Sequence, residues 1–189
     1  MSDLILAVHI NKDVRHIVDA SREINIVALN ALLTARQAGA RSRGFSVVAR
    51  ELRQLAARLE VAMGKLDEVI SRLATDLAQT MRDQRLIRSI ELALAEPEAH
   101  SCLRDSLARA TARQDSLETA VDARWTQLRR ELHGARRLAE IGGPLARSAK
   151  IEAAYGGDMT PVLRQVAEQI ESTMAQIIGL LGKIRGVIK

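Results

Sequence analysis

Apolar residues recur along most of the chain at alternating intervals of three and four positions. One series consists of Phe45, Val48, Leu52, Leu55, Leu59, Ala62, Leu66, Val69 and Leu73. A second consists of Leu163, Val166, Ile170, Thr173, Ile177, Leu180, Ile184 and Val187. This heptad spacing places the apolar residues on one stripe of a helix, and it predicts a coiled coil or a helical bundle.

Glycine and proline interrupt the heptad pattern at three places. The interruptions lie at Gly39 and Gly44, at Gly156 and Gly157 before Pro161, and at Pro97. Glycine permits a tight reversal of the chain, and proline fits the first turn of a helix, where its missing N–H costs nothing. The pattern therefore predicts four helices, over residues 3–38, 45–95, 98–155 and 161–188.

The two apolar series are offset by a constant 118 positions, as Gly39 and Gly157 are. The first and third predicted helices show the same offset. The first has Ala7, Ile10, Val14, Ile17, Ser21, Ile24, Ala28, Ala31 and Ala35; the third has Trp125, Leu128, Leu132, Ala135, Ala139, Gly142, Ala146, Ala149 and Ala153. We therefore predict that residues 1–71 and 119–189 are two copies of one helical hairpin.

Between the two predicted hairpins, residues 72–118 form a two-helix arm that we expect to turn at Pro97. The heptad pattern slips by steps of four at both ends of this arm, and such a stutter locally unwinds a supercoil. The predicted fold is thus all-α: an elongated antiparallel four-helix bundle of two coiled-coil hairpins in one chain, with a two-helix arm.

The apolar residues of the arm, such as Leu86 and Leu92, point in several directions. We therefore expect residues 80–110 to need a partner, for which a second copy of the chain is a candidate. An alternative treats 45–155 as one helix kinked at Pro97, with two chains pairing antiparallel. This alternative is less favoured, because proline inside a helix costs about 3 kcal/mol.

Composition supports helices and excludes several functions. Phe, Trp and Tyr occur once each although 47% of the residues are hydrophobic, which argues against a β-sandwich or a β-barrel. The net charge of +5, with so few aromatic residues for base stacking, predicts no nucleic-acid binding. No apolar run approaches the ~20 residues that span a membrane, and the first residues lack the basic stretch that is typical of a signal peptide. We expect a soluble, cytoplasmic protein.

The sequence offers no evident catalytic or metal site. The single cysteine, Cys102, excludes an internal disulfide and a cysteine-based zinc cluster. His9 and His16 lie seven positions apart on one helix face, which we interpret as a solvated flank. No nucleophile has an evident activating partner. We expect no enzyme activity, no cofactor and no metal. The arginine pairs at 129–130 and 136–137 predict either a solvated face or a docking surface for an acidic partner.

The first hairpin carries the most specific motif of the chain. It reads Asn25-Ile26-Val27-Ala28-Leu29-Asn30-Ala31 and, after Gly39, Arg43-Gly44-Phe45-Ser46-Val47-Val48-Ala49-Arg50-Glu51. Residues 23–56 closely resemble the cytoplasmic hairpin tip of methyl-accepting chemotaxis receptors. Ile151-Glu152-Ala153-Ala154, followed by Tyr155-Gly156-Gly157, resembles a remnant of the same tip. In that family two hairpins from two chains form the bundle, so the resemblance implies a receptor tip duplicated within one chain.

The resemblance implies a function without chemistry. Receptor tips bind a coupling adaptor and a histidine kinase, and these are the expected partners here; chemoreceptors are a further candidate. The partner contacts implied by the family are Ile26, Leu29, Asn30, Arg43, Phe45, Val47, Val48 and Glu51. The implied hairpin turns contain Gly39, Gly44, Gly156 and Gly157.

The sequence departs from the receptor family in two respects. Thr34 and Gln37 replace the glutamate and arginine that help receptors to form trimers, and Tyr155 replaces the arginine in the second copy. No convincing methylation pair is present either. The leading hypothesis is therefore a chemotaxis-like signalling protein that binds the adaptor or the kinase. The alternative is a structural interaction or dimerisation module that has lost its coupling to the kinase.

Overall fold

The computed structural model describes residues 2–37, 39–94 and 101–188, and they are almost entirely helical. The α-helices are α1 (Ser2–Gln37), α2 (Arg43–Leu94), α3 (Ser101–Ala153) and α4 (Thr160–Val187), and short 3₁₀ turns occupy Gly39–Ser42 and Gly157–Met159. No strand occurs in these ranges. The predicted all-α class is confirmed, and each helix begins and ends within a few residues of its predicted bounds.

The chain divides into two compact units. One contains Met1–Asn11 and Glu68–Leu128, and the other contains Lys12–Asp67 and Arg129–Lys189. The predicted turn at Pro97 lies outside the described residues. The predicted domain boundaries at residues 71 and 119 fall near the borders of these units without coinciding with them.

In the first unit, α2 and α3 pack side by side in opposite directions. The guanidinium of Arg113 donates two hydrogen bonds to the buried carboxylate of Asp83, at 2.7 and 3.0 Å. This hydrogen bonding, together with the attraction of the two charges, raises the pKa of Arg113. One continuous helix would hold these residues about 45 Å apart. In this structure the two residues therefore lie on separate helices that pair within one chain, unlike the alternative of a single helix through residues 45–155.

The arm part of this unit has a sparse core, as its irregular pattern predicted. Ile90 and Ala110 are buried, whereas Leu92 is 69% exposed and Leu86 is 45% exposed. A second ion pair, between Arg124 and Asp76 at 3.5 Å, links α3 to α2. Few apolar side chains are thus shared by the two helices of the arm, and ion pairs contribute to their registration.

In the second unit, α1 lies between α2 and α4. Arg53 donates a hydrogen bond to Asn25 at 3.2 Å, which links α2 to α1. Gln169 donates to Glu23 at 3.0 Å, which links α4 to α1. The ammonium of Lys150 donates to Glu171 at 2.6 Å, which links α4 to α3. Gly142 of α3 lies beside Leu55 of α2, and this contact closes the ring. The second unit is therefore a four-helix bundle built from one chain.

Each residue nominated for the apolar seam of α1 is buried, but the seam is wider than predicted, since Ala20 and Val27 are buried as well. On α3 the nominated residues are also buried, except Trp125, which is half-buried. On α2 and α4 the predicted stripe was too narrow. Five predicted residues are not fully buried: Val48, Ala62, Val166 and Leu180 are half-buried, and Val187 is exposed. Buried residues that the series did not include are Ala49, Ala56, Met63, Ile70, Ala167, Met174 and Leu181.

Residue size alternates across the core of the second unit. From Ala135 to Ala153 the buried positions of α3 carry alanine or glycine, whereas α2 and α4 contribute mainly larger aliphatic side chains. Gly142 shows how closely they fit: a methyl group on its Cα would overlap Met174 of α4 and lie 3.0 Å from Leu55 Cδ2 of α2. Large side chains fill the space that small ones leave.

The four turn glycines have two different roles. Gly39 and Gly157, at equivalent positions of the two hairpins, adopt φ angles of +72° and +59°, which are accessible chiefly to glycine. Gly156 leaves room for Leu163, since a Cβ there would lie 2.6 Å from Leu163 Cδ1. Gly44 lies within the first turn of α2 and not in the loop. A Cβ on Gly44 would overlap the carboxylate of Glu152.

Removal of a large core side chain should destabilise the second unit. Leu59 is fully buried, whereas Val61 on the same helix is 64% exposed. We expect Leu59→Ala to lower the free energy of unfolding by about 2–5 kcal/mol, because it leaves a cavity. Val61→Ala should change it by no more than about 0.5 kcal/mol. Urea denaturation followed by circular dichroism measures both, and equal effects would contradict this core.

The contact between Gly44 and Glu152 should appear as an energetic coupling of the two hairpins. With Glu152→Ala, Gly44→Ala should stabilise the protein by roughly 0.5–1 kcal/mol, because alanine favours helix. With Glu152 in place, this gain should fall by at least about 0.5 kcal/mol.

A second helical glycine of α2 provides the control for this double-mutant cycle. A Cβ on Gly64 would meet nothing within 4 Å. Gly64→Ala should therefore stabilise the protein equally with or without Glu152. If Gly44→Ala behaves in the same way, the carboxylate does not pack against Gly44.

Candidate functional site

Most residues that the resemblance nominated as partner contacts lie on the outside of the first hairpin. Ile26 is 59% exposed, Leu29 is 42% exposed and Val47 is 55% exposed. Asn30, Arg43 and Glu51 are exposed as well, and Val48 is half-buried. The structure thus leaves six of the nominated side chains accessible to a partner.

Phe45 is the exception among the nominated residues. It is 1% exposed and is one of the largest fully buried side chains of the chain. Its position two residues after the start of α2 turns its ring toward the core, next to the helix reversal. In this conformation the ring of Phe45 lies inside the end of the bundle, and its expected contact with a partner stays a prediction.

Apolar side chains form a stripe along the outer face of α1. Ile26, Leu29 and Leu33 follow one another at intervals of three and four residues, which places them on one side of the helix, and Leu33 is 51% exposed. Val47 lies on α2 close to the reversal. We call Ile26, Leu29, Leu33 and Val47 the tip cluster.

The core behind the tip cluster is complete without it. Ala28, Ala31 and Ala35 of α1 are at most 1% exposed, and Phe45 and Ala49 of α2 are buried with them. The four side chains of the tip cluster are therefore not a second layer of this core. Exposed apolar side chains concentrated in one region are typical of a surface that binds another protein.

Exposed apolar residues also occur on the second hairpin. Ile151 is 61% exposed, Tyr155 is 67% exposed and Val162 is 44% exposed. Ile151 occupies the position equivalent to Leu33, so the constant offset between the hairpins could have predicted its exposure. Val162 had no such signal, since its counterpart in the first hairpin is Gly44.

Exposed polar contacts link neighbouring helices of the second unit. Arg22 of α1 donates a hydrogen bond to Glu60 of α2 at 3.0 Å, and both side chains are substantially exposed. On the other side of the unit, hydrogen bonding to Glu171 raises the pKa of Lys150, and the negative charges of Glu171 and Glu168 add to the effect. Such exposed pairs contribute little stability, so they show which helices are neighbours rather than setting the register of the bundle.

The described residues contain no cluster of three or more His, Cys, Asp or Glu side chains that could hold a metal ion. None of the helices in the described ranges is long and apolar enough to cross a membrane. The tip cluster itself presents aliphatic groups without a nucleophile or a paired acid and base. What this arrangement can do chemically is bind the apolar surface of another protein.

The family model of the methyl-accepting chemotaxis protein signalling domain matches residues 7–123, which is more than half of the chain. The match covers α1, the tip of the first hairpin and the arm, and it ends before most of the second hairpin. No solved structure is a significant match to the chain.

Curated relatives agree with this assignment over parts of their length. The methyl-accepting chemotaxis protein HlyB of Vibrio cholerae is 39% identical over 69 residues, which is 36% of this chain and 13% of HlyB. The biofilm dispersion protein BdlA of Pseudomonas aeruginosa is 36% identical over 92 residues, which is 44% of this chain and 22% of BdlA. The methyl-accepting chemotaxis protein PctB of the same species is 31% identical over 120 residues, 61% of this chain and 19% of PctB.

The chain thus spans less than a quarter of the length of these three relatives. On this evidence the chain belongs to the family of methyl-accepting chemotaxis protein signalling domains, a family of chemotaxis signal transduction.

Proposed function

We propose that the chain binds the coupling adaptor or the histidine kinase of a chemosensory pathway through its first hairpin. The observation that carries this proposal is the tip cluster, whose four aliphatic side chains are each at least 42% exposed. The function is one of binding, without catalysis. Because the adaptor and kinase of this family act in the cytoplasm, the proposal places the chain there, with chemoreceptors as a further candidate partner.

The energetics favour a partner at this surface. Complete burial of a valine, leucine or isoleucine side chain contributes about 1.5–3 kcal/mol. Because these four side chains are already about half-buried in the free chain, a partner that covers them gains roughly half of that contribution from each. Asn30, Arg43 and Glu51 are exposed near the same end of the hairpin, where they can form the polar rim that surrounds an apolar interface.

The two hairpins are unequal in what they offer a partner. The first keeps the Arg43-Gly44-Phe45 turn, whereas the second has Pro161-Val162-Leu163 at the corresponding positions. Tyr155, 67% exposed, stands where the first hairpin has Gln37. We infer that the first hairpin binds the partner and that the second chiefly completes the bundle.

A charge placed in the tip cluster should abolish this binding. Val47→Glu should weaken binding to the purified adaptor or kinase at least tenfold, because the interface would bury an unpaired carboxylate. Val61→Glu is the matched control: Val61 is also exposed on α2, two heptads farther from the turn and about 21 Å away. Isothermal titration calorimetry measures both affinities.

The outcomes of this titration distinguish a wrong binding surface from a wrong function. Equal weakening by both variants would reject the tip cluster as the binding surface, and absence of binding by the native chain to both proteins would reject the function itself. Ile151→Glu, at the position equivalent to Leu33, should leave the affinity unchanged. A tenfold loss there would show that the second hairpin binds the partner.

A structural dimerisation module is the second candidate function, and the exposed leucines of the arm favour it. If two chains pair through the arm, the double variant Leu86→Glu with Leu92→Glu should halve the mass that light scattering measures, since the interface would carry four buried carboxylates. A monomeric native chain, or an unchanged dimer in the variant, would reject pairing through these leucines.

A further inference from the structure

Basic side chains surround one cavity in the second unit. The cavity lies where α3 enters this unit, at Arg129, and where α4 ends. Four of the lining residues lie on one face of α3, because they are spaced three or four positions apart: Arg129, Leu132, His133 and Arg136. Arg185 and Ile188 face them from the other helix. Together these six residues line a cavity of about 210 Å³.

The cavity combines an apolar floor with a cationic rim. Leu132 is 3% exposed and Ile188 is 5% exposed, so both belong to the bundle interior. Arg129, Arg185 and His133 are exposed, and Arg136 is half-buried. An engineered apolar cavity of about 150 Å³ is large enough to bind benzene. A cavity of this size therefore accepts one ring or one branched aliphatic group, and it is too small for a helix or a lipid chain.

Among the described residues, carboxylates pair with only part of the positive charge at the rim. Arg136 donates a hydrogen bond to Glu140 at 2.8 Å, and Arg129 has a long contact of 3.5 Å with the carbonyl oxygen of Ile188. Within the part of the chain that the structure describes, no carboxylate forms an ion pair with Arg129 or Arg185. Cations that converge without carboxylate partners repel one another, and a bound anion removes this repulsion.

We propose that this cavity binds a small organic anion, namely a carboxylate carried on an aromatic ring or on a branched aliphatic group. The ring or branched group packs on Leu132 and Ile188. The carboxylate accepts hydrogen bonds from the guanidinium groups of Arg129 and Arg185, whose forked donors match its geometry. The site is remote from the tip cluster and does not depend on the function proposed for it.

Benzoate is the probe that tests this proposal, because it combines one ring with one carboxylate. Titration of the full chain, followed by isothermal titration calorimetry and amide chemical shifts, should show binding with shifts centred on the six lining residues. Acetate keeps the charge without the ring, and benzyl alcohol keeps the ring without the charge. Each should bind at least tenfold more weakly than benzoate.

Two double variants with equal loss of charge test the cationic rim. Arg129→Gln with Arg185→Gln should weaken benzoate binding at least tenfold. Arg130→Gln with Arg137→Gln removes two arginines of the same α3 segment that do not line the cavity, and it should leave the affinity within twofold. If the first double variant loses helicity, Arg185→Gln alone, at an exposed position, should still weaken binding at least threefold.

Three results would overturn the proposal. The first is no benzoate binding at millimolar concentration. The second is equal binding of benzyl alcohol and benzoate, which would make the cavity apolar only. The third is equal benzoate affinity of the two double variants, which would mean that general positive charge attracts the anion without a built site.

Discussion

The close fit of large side chains from α2 and α4 against the small residues of α3 is the constraint on which the second unit depends. At Gly142 the fit leaves no room for a methyl group beside Met174 and Leu55. Because protein interiors are packed as densely as organic crystals, such a contact fixes both the separation of the helices and their register. The register in turn determines which side chains of α1 and α2 reach the outer surface of the first hairpin.

The same packing separates residues with a structural role from residues available to a partner. Phe45 and Val47 are two positions apart in the sequence, yet one is buried and the other is more than half exposed. On a helix, two residues correspond to a rotation of about 200°, so the neighbours face opposite ways. A receptor-like motif therefore contains two kinds of information, since some of its residues build the bundle end and others form its outer surface.

Sequence periodicity was sufficient for the helices, and the residues that it nominated on α1 and α3 are buried, except for the half-buried Trp125. It was insufficient on α4, where Val166 and Ala167, and also Leu180 and Leu181, are adjacent apolar pairs. Either member of such a pair can point inward, and only packing against the other helices decides between them. The contact of Asp83 with Arg113 was equally inaccessible, since thirty residues separate the two side chains.

The candidate sites were likewise predicted only in part from the sequence. The resemblance located the exposed residues of the first hairpin, but it could not distinguish the buried Phe45 from them. The spacing of Arg129, His133 and Arg136 on one face of α3 is visible in the sequence. The cavity became evident only when the fold brought Arg185 and Ile188 opposite that face. Sequence spacing shows which residues share one face of a helix, whereas a cavity between two helices is seen only in the tertiary structure.

All four helices of the second unit belong to one chain. This affects how substitutions can alter the surface of the bundle. In a symmetric assembly of two identical chains, every substitution appears twice, on both equivalent faces. Here a substitution appears once, so one hairpin can lose or acquire surface residues while the other keeps its own.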